Sequence, residues 1–300
     1  MQTRTLLAIT LLVAVSTPCV ALQVSISAAK TSFVQAEPIY VWVDYYNETG
    51  EEIGVAQREM FGFDVLTTRT RNGELVRRPV ELVTRGPRGR NQIQRIGPKG
   101  HFVFFANLLD VVNLVDSESY TVQISAPNYA PEQDLDKEHP VLPPSQLVRG
   151  PIESNLWAFT ITPGSGDVFN LIAGDLQKRR SGVYELYRNA RRIVEEFPDS
   201  PYWPYAVVCE VDQVLYAEGS GPVPLRDRLA PAEALMDRLR ASRSRFQNFD
   251  IALILYAERL LKVGEQDAAR KLLEELKREA ISGVARLYVD EVLSSKTAAR

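Results

Sequence analysis

Hydrophobic periodicity changes once along this chain, at Pro163-Gly164-Ser165-Gly166. Upstream, apolar residues recur at every second position; downstream they recur every third or fourth. The first spacing puts alternate side chains on one face of a strand, the second puts a stripe on one face of a helix. The chain is therefore expected to fold as β plus α, with a β-sandwich over residues 22–163 and a helical part over residues 164–300. Hydrophobic residues are 45% of the 300 and charged residues 24%, so each part has enough apolar surface for a core.

In the β part, Val24, Ile26 and Ala28 alternate with Ser25 and Ser27, and Ile39, Val41 and Val43 alternate with Tyr40, Trp42 and Asp44. Further strands are expected around Phe61–Val65, Glu74–Val83, His101–Leu109, Tyr120–Ile124 and Leu156–Ile161. Turns separate them at Asn47-Glu48-Thr49-Gly50, at Asn72-Gly73 and at Pro98-Lys99-Gly100. Seven or eight short strands spaced in this way suit a sandwich of two sheets. Residues 126–151 carry six prolines among acidic residues and read as an extended loop.

In the α part, Val183, Leu186, Ala190, Ile193 and Phe197 mark one helical face. Phe197-Pro198-Asp199-Ser200-Pro201 ends that helix, with Ser200 placed to cap the next and Pro201 at its first position. Helices are expected again at Ala232–Arg240, Asp250–Val263, Glu265–Glu279 and Val284–Leu293, with Gly219–Pro224 as a linker. In the third of these, Ala268, Leu272, Leu273 and Leu276 form the apolar face, with Lys271–Glu275 and Glu274–Arg278 as pairs on the wet side. Alanines recur at like positions: Ala190, Ala234 and Ala269 in first helices, 44 and 35 residues apart, and Ala206, Ala252 and Ala285 in second helices, 46 and 33 apart. A period near 34 residues built of helix pairs is that of helical-hairpin repeats.

Two resemblances follow from these residues. Glu37-Pro38-Ile39-Tyr40-Val41-Trp42-Val43, the turn from Asn47 to Gly50, Pro98-Lys99-Gly100 and Ser119-Tyr120-Thr121-Val122 together resemble bacterial immunoglobulin-like domains. The run from Leu261 to Ala268 resembles the turn inside a tetratricopeptide repeat, and Glu195 to Tyr202 resembles hairpins of periplasmic tetratricopeptide-like proteins that assemble or bridge envelope components. The repeats depart from the full consensus, because no tryptophan opens each of them. The resemblances imply a fold and a binding or spacing role; a fold alone does not choose the partner.

The start of the chain bears on the compartment. Arg4, the apolar run Leu6–Val15 and the small residues around Cys19-Val20-Ala21 read as a cleaved secretory signal over residues 1–21. An uncleaved anchor and lipidation at Cys19 are the alternatives, although Pro18 suits a lipidation motif badly. The run is shorter than the ~20 residues a membrane span needs, so the mature chain is expected to be exported, periplasmic or extracellular, with no transmembrane span. Cys209 is then the lone cysteine, reading as a small buried hydrophobe rather than a reactive thiol.

No phosphate-binding loop and no nucleophile elbow is present, and two histidines, His101 and His139, are too few for a histidine-rich metal site. Asp134, Asp136 and Glu138 alternate, but no glycine follows to make a calcium loop. The expectation is a non-enzymatic protein without cofactor or metal. With a net charge of −3 nothing points to nucleic acid. Two surfaces are candidates. Tyr184, Tyr187, Arg188 and Arg191 form a stripe beside the helical core face, with the residue types that anchor protein interfaces; the competing reading is packing between hairpins. Between Arg69 and Lys99, nine cations stand against Glu74 and Glu81, a local balance of nine minus two, +7. Arg77, Arg78, Arg85, Arg88, Arg90, Arg95 and Lys99 would suit an anionic glycan or lipid; the competing reading is a solvated surface. A glycan-active enzyme using carboxylates, such as Asp44 with Asp64, ranks last.

Overall fold

The computed structural model describes residues 22–56, 63–71, 74–79, 93–110, 112, 114, 116–126, 142–148, 152–177, 183–216, 225–279 and 282–295. The expectations placed on residues 1–21, Arg85, Arg88, Arg90, Asp134, Asp136, Glu138, His139 and the linker at 219–224 lie outside the described residues.

Eleven strands precede the first helix among the described residues: β1 (Leu22–Ser27), β2 (Ser32–Val34), β3 (Tyr40–Asn47), β4 (Ile53–Ala56), β5 (Phe63–Arg71), β6 (Glu74–Pro79), β7 (Ile93–Ile96), β8 (His101–Asn107), β9 (Ser119–Ala126), β10 (Ile152–Glu153) and β11 (Trp157–Thr162). One sheet has the order β1-β3-β8. A six-stranded sheet runs β2-β11-β9-β5-β6, with β10 also paired to β9, and β4 pairs with β7. Pairing is antiparallel except for β2 against β11. The chain therefore switches sheets between β1 and β2.

Alternation explains the core. Leu22, Val24 and Ile26 of β1, Val41, Val43 and Tyr45 of β3, Tyr120, Val122 and Ile124 of β9, and Trp157, Phe159 and Ile161 of β11 are buried in one cluster between the two large sheets. The expected turns have physical anchors. Buried Asn47 donates from Nδ2 to the carbonyls of Glu51 (2.7 Å) and Gly97 (2.8 Å), and its Oδ1 accepts from the Thr49 amide at 2.8 Å. Arg71 pairs with Glu74, so β5 and β6 are joined by two residues; Asn72 and Gly73 themselves lie outside the described residues. β2, β4 and β7 escape a reading by alternation because they are only three or four residues long.

Eight α-helices follow among the described residues: α1 (Gly166–Gln177), α2 (Tyr184–Arg188), α3 (Ala190–Glu196), α4 (Trp203–Tyr216), α5 (Leu225–Ala241), α6 (Phe249–Lys262), α7 (Gln266–Arg278) and α8 (Gly283–Ser295). Several sequence expectations need correction. α1 was not anticipated. The helix expected through Val183–Phe197 is two, interrupted at Asn189, whose Nδ2 donates to the carbonyls of Leu171 (3.1 Å) and Glu185 (2.9 Å). α4 starts at Trp203, beyond Pro201, and Ser200 Oγ makes no capping bond; the Trp203 amide donates to the Ser200 carbonyl at 3.2 Å instead. α5 begins well before Ala232 and contains Pro231. On α7 the buried alanine is Ala269, not Ala268, and Glu274 takes Arg270 (3.0 Å) as its carboxylate partner rather than Arg278, which donates to the Glu274 carbonyl. Of the six recurring alanines five are buried; Ala234 is exposed, and Ala232 is buried instead.

The outer face of the β1-β3-β8 sheet is not wet. Trp42 and Phe105 have ring centroids 5.2 Å apart and meet Tyr288 of α8 at 5.7 and 5.6 Å. Tyr40 stacks on Tyr205 of α4 at 6.2 Å. Tyr202 Oη donates to the Gln35 carbonyl at 2.7 Å. Three large rings remove on the order of 500 Å² from water, roughly 12 kcal/mol gross before the entropy cost. One net hydrogen bond contributes about 1 kcal/mol. Aromatic contact therefore holds the helices to the sheet, and the polar links set their register. No described helix is long and apolar enough to cross a membrane.

Candidate functional site

The tyrosine–arginine stripe lies on α2 and α3. Asn189 donates its amide to the Glu185 carbonyl (3.0 Å) and accepts at its own carbonyl from the Ile193 amide (3.0 Å), so helix-type bonds join α2 to α3 through the break. Leu186, Ala190 and Ile193 take the inner face. That leaves Tyr184, Tyr187, Arg188 and Arg191 outside, on one stripe and all exposed. Tyr184 is 55% exposed and Tyr187 38%; with Leu156 they are the exposed large apolar side chains among the described residues. All four side chains thus keep surface open to solvent. Arg191 is already paired, its Nε 3.1 Å from Glu195 Oε1, and that carboxylate raises the guanidinium's affinity for its proton.

Tyr187 also borders a cavity of about 160 Å³ among β3, α4, α5 and α6. Its wall holds Asp212 and Arg259, with Arg259 Nε 2.6 Å from Asp212 Oδ1, and Cys209 beside Tyr40. Burial, and then the Asp212 carboxylate, push the Tyr187 hydroxyl up, so it stays a proton donor. Burial, aided by Asp212 and Asp110, pushes the Cys209 thiol up to about 12. A thiol held protonated is a poor nucleophile. The arrangement can receive a side chain and offer a hydroxyl and an ion pair; it has no activated nucleophile.

The arginine stretch is spread over two sheets. Arg77 and Arg78 lie on β6, opposite Thr68 and Thr67 of β5, with side chains outside the described residues. Arg95 lies on β7 and pairs with Glu52 at 2.9 Å. Lys99, in the turn with φ +53°, donates Nζ to the Glu48 carbonyl at 2.6 Å. Both cations thus already have a partner within the chain. Asp44 faces His101, whose Nδ1 is 2.9 Å from Oδ1, while Asp64 belongs to β5 in the other sheet. Among the described residues no group of three metal-ligating side chains comes together.

Sequence reasoning missed Glu37. It is 2% exposed, accepts from the Val34 amide at 3.0 Å and from Tyr205 Oη at 3.0 Å, and forms an ion pair with Lys30. Tyr205 is 168 positions away, so nothing local could reveal the contact.

No family model matches the chain. No curated protein matches it either. Among solved structures, the sporulation control protein Spo0M from Bacillus subtilis is similar at 11% identity over 53% of this chain and 55% of its own, with a TM-score of 0.25. The α-2-macroglobulins of Salmonella, in a form reacted with methylamine, and of E. coli are similar at 9% and 10% identity, both with a TM-score of 0.26. They cover 89% and 92% of this chain, which spans 24% and 19% of theirs. Likenesses this distant carry no argument about fold or function.

Proposed function

We propose that this protein is a non-enzymatic binding or scaffold protein, exported to the envelope or beyond, that holds a protein partner on its helical part. The observation that carries the reading is the exposed stripe of Tyr184, Tyr187, Arg188 and Arg191, of which Tyr187 borders a small pocket. Tyrosine and arginine beside a pocket are what interface anchors consist of.

The finer fold reading belongs with it. An immunoglobulin-like sandwich is supported by the sheet switch between β1 and β2 and by Tyr120, near the start of β9, donating Oη to the Asp116 carbonyl at 2.8 Å. Tetratricopeptide-like hairpins are supported by the tight α6–α7 turn at Gly264 and by the buried alanines at Ala190, Ala206, Ala252, Ala269 and Ala285, which let helices approach closely.

The test is affinity capture by residues 22–300 from an envelope extract of the source cell, at low and high salt. A protein retained at high salt by the native chain, and lost by Tyr187→Ala with Arg191→Ala, is the expected result; anchors of this kind are worth about 2 kcal/mol, roughly thirtyfold in affinity. Both side chains are exposed, so the variants keep their fold. Undiminished capture by the double variant would overturn the assignment. Capture of anionic glycan or lipid alone, released by salt, would move the function to the arginine stretch.

A further inference from the structure

A second, larger concavity lies where the sheets meet the helices. It is a cleft of about 710 Å³, within the usual range of small-ligand sites and in a usual place for one. One wall is the stretch from Ala29 to Ser32, the other the connections between α3 and α4 and between α5 and α6. Buried Glu37, Tyr205 and Phe246 line it as well. We propose that this cleft binds a neutral, hydroxyl-rich ligand, a short oligosaccharide.

Charge comes first. The four charged groups of the lining are two pairs: Lys30 with Glu37, and Arg245 Nη2 with Asp199 Oδ1 at 3.1 Å. A charged ligand would have to displace a partner already in place. The other polar groups are Thr31, Ser32, Ser200, Ser242, Ser244 and Gln247. Each both donates and accepts hydrogen bonds, as does every hydroxyl of a sugar. Pro198, Pro201 and Phe246 supply the apolar surface against which the C–H face of a sugar ring can lie.

Ser200 adds an independent observation. Its Oγ is buried and has no hydrogen-bond partner. Such atoms are rare because each carries the desolvation cost of an unmade bond. It is the unsatisfied buried side-chain atom of this lining among the described residues. Turned toward the cleft, that hydroxyl would donate to or accept from a ligand hydroxyl.

The competing occupant is an extended peptide added to the edge of β2. The ladder argues against it. Thr31 and Gln35 bond toward β11, so Ser32 and Val34 face outward. Val34 has both backbone groups taken by Glu37: its amide by Oε2 (3.0 Å) and its carbonyl by the Glu37 amide (2.9 Å). Strand addition would stop after one residue.

The experiment is titration calorimetry of residues 22–300 against neutral di- to hexasaccharides of glucose, mannose, xylose and N-acetylglucosamine, with a library of extended peptides in parallel. The expected result is saturable binding of at least one neutral sugar that survives high salt, because exposed charges contribute nothing to it. Ser244→Ala and Gln247→Ala, both at exposed positions, should each weaken it by about tenfold, the worth of one or two hydrogen bonds. Tyr187→Ala should leave it unchanged, which separates this site from the partner-binding stripe. Lack of binding by every sugar at about millimolar concentration, binding indifferent to both cleft variants, or binding of peptides alone would overturn the proposal.

Discussion

Glu37 shows what one residue can impose on this fold. A buried carboxylate is costly unless charge and hydrogen bonds compensate it. Here Lys30 supplies the charge, and the Val34 amide and the Tyr205 hydroxyl supply the bonds. Burial and Glu37 itself hold the Tyr205 hydroxyl protonated, so it donates to the carboxylate while accepting from Asn248 Nδ2 at 2.9 Å. The network ties the β2–β3 turn to α4 and to the start of α6. Glu37→Ala is expected to lower stability to urea by about 3 kcal/mol, the lower end for breaking a buried pair, because half-buried Lys30 can turn to water. A loss under about 1 kcal/mol would mean that the network orients the parts without stabilising them.

At the scale of elements, the α6–α7 hairpin is the clearest case of local sequence becoming structure. Gly264 has φ +93°. Its amide bonds to the Leu261 carbonyl at 3.2 Å, and the Glu265 amide bonds to the Leu260 carbonyl at 2.8 Å, the paired bonds of a glycine-terminated helix. A Cβ at Gly264 would meet nothing within 4 Å, so the cost of adding one is the backbone conformation alone. Gly264→Ala should therefore cost about 1 kcal/mol, read as a lower melting temperature with unchanged far-ultraviolet dichroism; an unchanged melting temperature would refute it. Other element ends were not legible. The break at Asn189 depends on the Leu171 carbonyl of α1, and the start of α5 depends on a proline tolerated inside a helix. Local preference was overruled there by packing.

At the scale of the molecule, three layers share two cores. One core lies between the sheets, and the other joins Trp42 and Val103 to the helices. Burying the second seam also buries carboxylates. Burial raises the carboxyl of Asp110, Glu210, Asp250 and Glu291 above its ordinary value. Each then binds a proton more tightly folded than unfolded. Their contribution to stability is complete below the unfolded value, near pH ~4, and is lost as pH rises through the folded value. The melting temperature should rise as pH is lowered through the folded values toward ~4, and Glu210→Gln with Asp250→Asn should flatten that rise. A slope unchanged by the two substitutions would show that other groups govern it.

The sequence by itself determined that strands precede helices, the inward residues of β1, β3 and β9, and the turns at Asn47 and Gly264. All of these follow from periods of two and 3.6 and from turn chemistry, which act over a few neighbouring residues. Tertiary structure alone decided that the outer face of β3 is covered, that Glu37 is buried and that a hydroxyl-lined cleft opens beside it. Alternation distinguishes one face of a strand from the other, but it does not say what covers each face. Tyr40 and Trp42 meet helices more than a hundred residues further along, and only the folded chain brings those surfaces together.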